Sequence, residues 1–234
     1  MWFSMIQDLI LGVRDSLMMA PLLRQMAVNW QNVSFEAVLL SDFAWVDGER
    51  LEFYQREFAA LGFEPRGDFS PRPPVNGVTG FMRLMGHETE KAHVSLHTTK
   101  PALAPAPLRC AITCTLSDGW VVASTDREAD AILSQLRLPH AVGLRDCDAS
   151  PSNLWRETLK VRAQLMKEKN LRPTGDASAK DFIAFSAQSN SERAELTLRQ
   201  NPLQFAIRRR TLMRQKPPRR EIFTGEWMPQ SPLS

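Results

Sequence analysis

The feature that most constrains this chain is a hairpin signal near its middle. Leu108, Cys110, Ile112, Cys114 and Leu116 alternate with Arg109, Ala111, Thr113 and Thr115. Ser117-Asp118-Gly119 then turns the chain into Trp120–Ser124. Successive side chains of a strand point to opposite faces, so this period of two makes a half-buried strand. An Asp-Gly turn between two such runs calls for antiparallel pairing, with Asp118 chosen for its tolerance of positive φ. A sheet therefore lies at the centre of the fold, and the remaining segments must cover it.

Three more strands follow from the same pattern. Phe63–Phe69 is one, closed by the proline cluster Pro71, Pro73 and Pro74. Gly80–Met85 and Ala92–Thr99 are the others, joined through Gly86-His87-Glu88-Thr89. In the last, Ala92, Val94, Leu96 and Thr98 alternate with His93, Ser95 and His97. Helices flank them. Asp47 is placed to cap a helix to about Ala60, with Leu51, Tyr54, Phe58 and Leu61 inward and Gly62 just beyond its end. Ser150-Pro151 opens another to about Lys169, with Leu154, Thr158, Val161 and Leu165 inward. Asp126–Gln135 reads as a short helix and the segment to Ala149 as a loop. Thr174–Lys180 reads as a linker, and Ser189-x-x-Glu192 as a capping box for a short helix ending near Arg199. The expected fold class is α+β, an antiparallel sheet of about five strands flanked by helices. It divides into an N-terminal segment (1–46), a core domain (47–170) and a C-terminal segment with a basic tail (171–234).

Both ends are distinctive. Trp2, Ile6, Leu9, Val13 and Leu17 recur at helical spacing on one side of an N-terminal amphipathic helix, which Pro21 is expected to break at Ala20. Its polar face carries Asp8 and Asp15 against Arg14, where a membrane-surface helix would carry Lys and Arg, so docking on its own domain or on a protein partner is the expectation. From Arg199 to Arg220 the chain has eight Arg or Lys and no acid, which leaves the rest net acidic although the whole carries +3. Arg208, Arg209, Arg210, Arg214, Lys216, Arg219 and Arg220 are therefore candidate contacts for a protein partner, an anionic membrane surface or nucleic acid. Only Phe205 and Phe223 flank these arginines, which disfavours stacking on single-stranded bases.

Chemical motifs are sparse. Histidines four apart converge on a metal only on a helix; on a strand His93 and His97 stand about 13 Å apart, and no metal site is expected. Cys110, Cys114 and Cys147 form no disulfide framework and point to a reducing compartment. No nucleophile elbow and no glycine-rich phosphate loop is present in the sequence, so no catalytic residue and no cofactor is assigned. No run approaches the roughly 20 apolar residues of a membrane span.

Leu61-Gly62-Phe63, Gly67-Asp68-Phe69 and Ser117-Asp118-Gly119 with Ala123-Ser124-Thr125 resemble turn motifs of a loose group of uncharacterised bacterial proteins, over roughly residues 47–170. The resemblance implies a helix leading into an antiparallel sheet, a hairpin and a closing helix, with an N-terminal hydrophobic anchor in many members. It carries no activity.

Three functional expectations follow. The first is a cytoplasmic, non-enzymatic binding or assembly module, peripheral at the inner membrane face if its partner is lipid, whose terminal segments attach it. The second is a small-ligand-binding domain or cryptic enzyme using the sheet face of His93 and His97, with Arg109 and Thr113 from the adjacent strand. Nucleic-acid binding through the basic segment is a third.

Overall fold

The structure, a computed structural model, describes residues 2–74, 78–101, 104–128 and 130–231, with side chains from Leu17 onward. One sheet of eight strands runs in sequence order: β1 (Ser34–Ala37), β2 (Glu64–Arg72), β3 (Thr79–His87), β4 (Ala92–Lys100), β5 (Arg109–Thr115), β6 (Val121–Thr125), β7 (Ala141–Asp146) and β8 (Arg220–Phe223). Every neighbouring pair is antiparallel except β6 and β7, which are parallel. Among the described residues five helices complete it: α1 (Trp2–Asn32), α2 (Gly48–Ala60), α3 (Pro151–Lys169), α4 (Ala179–Leu198) and α5 (Pro202–Arg214).

The fold is α+β with a mostly antiparallel sheet, and the expected five strands become eight. The additional strands are β1, β7 and β8. The supposed loop before Ala149 contains β7, whose Val142 and Leu144 enter the core, and the supposed helix 126–135 holds only a single 3-10 turn at Leu133–Gln135. A parallel neighbour needs a crossover, and this turn lies within it. β2 runs past the expected break through Pro71 to Arg72: its ladder with β3 ends at Phe69 and Met82, and beyond it Pro71 pairs only with the short edge strand β1.

Local signals place α2 and α3. Asp47 Oδ1 accepts from Arg50 N at 3.0 Å, and Ser150 Oγ accepts from Asn153 N at 3.3 Å. Each satisfies an amide that the first helical turn leaves open. α2 buries Leu51, Tyr54 and Phe58; α3 buries Leu154, Trp155, Thr158, Val161 and Leu165. These pack on the sheet face of Val94, Leu96, Ile112, Cys114, Val122 and Val142 to form the main core. Polar groups in this layer are paired. Tyr54 donates a short hydrogen bond to Asp126, whose other oxygen accepts Cys110 N at 2.9 Å. Arg162 donates to Glu90 O at 2.7 Å and forms a short ion pair with the Glu90 carboxylate.

The opposite face is covered by α1, α4 and α5. α1 continues through Pro21 to Asn32, where the sequence predicted a break. Proline removes one helical hydrogen bond, and tertiary packing offsets it: Met19, Leu23 and Ala27 are buried on either side. α4 replaces the expected linker and short helix. Its cap is Ser178, whose Oγ accepts from Asp181 N at 3.1 Å, and Ser189 sits mid-helix. The segment read as a basic tail includes α5 and β8. Ile222 packs on the core, Phe223 covers Gly143, and Trp227 is buried with its Nε1 donating to Glu168 Oε2 at 2.9 Å.

Candidate functional site

The two sheet faces are built differently. Opposite the large aliphatic face, register places Gly86, His93, Thr113, Ala123 and Gly143 in one row across β3–β7, and Leu84, Ser95, Ala111, Thr125 and Arg145 in the next. Side chains on β4–β7 are mostly small here. The helices above touch the sheet layer through two separate apolar clusters. One joins Phe182 of α4 to Phe69, Met82 and Leu84. The other joins Met19 and Leu23 of α1 and Phe205 and Ala206 of α5 to Leu136 of the crossover. Between small residues below and widely placed anchors above, a cavity of about 880 Å³ remains. That lies in the range of pockets that hold drug-sized molecules, roughly 300–1,000 Å³.

Its floor is Ser95, His97, Ala111, Thr113, Ala123 and Thr125; its roof is Phe182, Ser186, Ser189, Asn190 and Arg193 of α4 with Trp30 of α1. Roof spacing follows the helix repeat, since residues 182, 186, 189 and 193 lie three or four apart and share one face. That face is polar where a packed helix would be aliphatic. Ser189 and Asn190 are only 7% and 8% exposed and line the cavity. Trp30 Nε1, Arg145 Nε and Asp181 Oδ2 are buried without partners, and all three residues line the cavity. Buried polar groups are normally paired, so a cluster of unpaired ones facing a space suggests that something else completes them.

The four residues singled out on this face by sequence are neighbours in the sheet. His93 stands opposite Thr113, and His97 opposite Arg109. His97 and Thr113 line the cavity; His93 and Arg109 lie beside it. His93 Nε2–H donates to Ser178 O at 3.0 Å and lies 4.0 Å from Asp181 Oδ2. Burial pushes its pKa below the usual histidine value, with the Ser178 carbonyl, Asp181 and Asp176 opposing. Burial also lowers His97, whose Nδ1–H faces Ser95 O at 3.4 Å. A neutral His97 bonded in this way keeps Nε2 as an acceptor.

Nucleophilic chemistry has little support from this geometry. Ser178 Oγ is the α4 cap and accepts an amide, while His93 is committed to the Ser178 carbonyl. Burial raises the thiol of Cys110 well above its ordinary value and that of Cys114 to about 11, with Arg162 only partly offsetting the latter. Cys147 is raised too, by desolvation and Glu128. Thiols held protonated are poor nucleophiles. Among the described residues, no group of three His, Cys, Asp or Glu side chains could hold a metal.

The terminal residues separate into two sets. Side chains of Trp2, Ile6, Leu9 and Val13 lie outside the described residues; Leu17 is 72% exposed. Arg219 pairs with Asp148, and Arg220 with Glu157 at 3.5 Å and Asp146 at 4.0 Å, so part of the basic segment is neutralised internally. Arg210 and Arg214 also have partners, whereas Arg208 and Lys216 are exposed and Arg209 is half-buried on α5. Among the described residues, no helix is long and apolar enough to cross a membrane.

Trp30, Asn190 and Arg193 were not foreseen from sequence. They come from two helices far apart in the chain, and the polar stripe of α4 was the only trace they left. In comparisons with known proteins, no family model, no curated protein and no solved structure matches the chain.

Proposed function

We propose that this chain is a small-molecule-binding domain whose ligand occupies the cavity between the β4–β7 face of the sheet and helices α1 and α4. The observation that carries this reading is the space itself, about 880 Å³, lined by buried polar groups that lack partners. A fold of this size does not ordinarily leave such a volume open beneath a helical layer, because interiors close-pack. A melting-temperature screen of the full chain against small organic molecules tests it. A ligand present at about 100 times its Kd stabilises the native state by about 2.7 kcal/mol. For a chain of this length that is a rise of about 5–11 °C. Ala123→Phe, which fills the floor, should abolish the rise. Compounds that raise both proteins equally, or a screen in which none raises the parent, would count against the reading.

A second reading, attachment to an anionic membrane surface, is favoured by exposed apolar side chains on two helices that pack together. Leu17 and Met18 of α1 are 72% and 68% exposed, and Ile207 and Met213 of α5 are 50% and 65% exposed, with Arg208 on the same short helix. Truncating the basic segment would remove α5 and β8 from the fold, so charge reversal is the appropriate test. Arg208→Glu with Lys216→Glu should weaken sedimentation with phosphatidylserine vesicles and leave the melting temperature unchanged. Equal sedimentation of both proteins would remove this reading.

A further inference from the structure

The polar groups left open in the cavity are unequal in kind. Trp30 Nε1 and Arg145 Nε, buried without partners, are N–H donors, and the Asn190 amide and the Arg193 guanidinium in the same lining add more. The carboxylate oxygen without a partner is Asp181 Oδ2. Asp181 and Arg193 are both on α4, twelve residues apart in the sequence, which separates their backbones by about 18 Å along the helix at about 1.5 Å per residue. That carboxylate therefore cannot serve the donors at the other end.

Arg193 is the centre of the donor end. Its guanidinium lies 5.6 Å from the centroid of the Trp30 ring. Among the described residues no carboxylate comes within ion-pair distance of it. Glu192, its chain neighbour, also lines the cavity and acts on Arg193 through space, but it is exposed, accepts from Gln188 Nε2 at 3.0 Å and forms no ion pair with the guanidinium. Asn190 lies one helical turn before Arg193 on the same side, 8% exposed and lining the cavity. An arginine keeps its charge under all ordinary conditions, and a desolvated charge without an ion-pair partner is costly.

Resting on the ligand-binding reading, we infer that the cavity is selective for an amphipathic organic anion, its acidic group held by Arg193, Asn190 and Trp30 Nε1 and its apolar body lying over Ala111 and Ala123. A carboxylate or sulfonate offers the acceptors that these donors lack, and the guanidinium fork matches its geometry. The apolar body is accommodated by the small residues of the floor and by Phe182 at the far side.

Two fluorescent probes with one ring system separate this inference from the reading beneath it. N-phenyl-1-naphthylamine is neutral; 8-anilinonaphthalene-1-sulfonate is the same skeleton with an acidic group. The full chain should bind the sulfonate at least tenfold more tightly. Arg193→Gln should remove that preference and leave affinity for the neutral probe within twofold. Asn190→Asp is the second variant, because it places a carboxylate one turn from Arg193 and supplies internally the partner the ligand would provide. It should weaken the sulfonate at least tenfold without lowering the melting temperature. If both probes bind the parent equally, or if both variants keep the parent's preference for the sulfonate, the anion inference falls while the cavity reading stands. If neither probe binds the parent, both fall.

Discussion

Replacing Tyr54 by phenylalanine probes the tie between α2 and the sheet with a single atom. Tyr54 and Asp126 are each 4% exposed, and the phenol donates directly to the carboxylate. It also accepts from Arg50 Nη2 at 3.1 Å. A hydrogen bond to a charged group contributes about 1.5–3 kcal/mol, and a buried acceptor left open forfeits its solvation as well. Tyr54→Phe should therefore cost about 2–3 kcal/mol in urea unfolding, or about 4–12 °C in melting temperature. Tyr54 is the only tyrosine, so its ionisation can be read by ultraviolet absorbance without overlap from another phenol. Burial, reinforced by the Asp126 hydrogen bond, pushes the phenol well above its ordinary value, with Arg50 opposing. The native state thus keeps a proton that the unfolded chain releases near pH 10. Stability from this group is complete below about pH 10 and declines as pH rises further, because the native state then binds more protons than the unfolded one. Tyrosinate absorbance should appear only together with unfolding. A cost below about 0.5 kcal/mol, the level of an ordinary surface substitution, or a reversible phenol titration near pH 10 in the folded chain, would refute the buried network.

Other outcomes follow from the same structure. A Cβ at Gly143 would sit 1.8 Å from Phe223 Cζ, so Gly143→Ala should displace β8 at a cost of about 1–3 kcal/mol and speed trypsin cleavage near Arg219 and Arg220. Unchanged urea unfolding and proteolysis would mean β8 does not pair there. His93, 1% exposed and held below its ordinary pKa by burial, takes up a proton less readily in the folded than in the unfolded chain. Stability should be full above about pH 6.5 and fall below it, by up to about 1.4 kcal/mol per pH unit, with a shallower fall in His93→Gln. Equal slopes in the two proteins would exclude His93 as the source. Cys110 and Cys114 should resist a water-soluble thiol reagent in the native state and react in urea, while half-buried Cys147 reacts first. Rapid labelling of all three in the folded chain would contradict their burial.

What sequence revealed and what it hid have physical causes. α2 and α3 were legible because caps, apolar stripes and the residues that end them are local: Asp47 and Ser150 at the start, Gly62 and the left-handed Asn170 at the finish. The central hairpin was legible for the same reason, and Asp118 and Gly119 take the positive φ that the turn chemistry requires. β1 and β8 are four residues each and pair by tertiary context, so their own patterns are too short to register. β7 carried the alternation of Val142 and Leu144, but the glycine between them, Gly143, weakens a strand pattern. α4 was misread for a more informative reason. Its inward face holds Ser186, Ser189, Asn190 and Arg193 because it looks onto a cavity, and a helix with a polar inner face has no apolar periodicity to detect. On the sheet, the alternation that buried Val94 and Ile112 also set His97 and Thr113 on the other side, so half of the candidate site was visible. The roof was not, since only folding brings Trp30 beside Arg193.

The central claim is that a small molecule enters between the sheet and the α1/α4 layer. Amide chemical shifts of the full chain, followed as N-phenyl-1-naphthylamine is added to saturation, test it most directly. The account predicts saturable changes at Ala111, Thr113, Ala123, Ser189 and Asn190, with little change at Leu154 or Val161 of α3. Changes confined to exposed Leu17, Met18 and Met213, or spread evenly over the chain, would place the probe on the surface and contradict it.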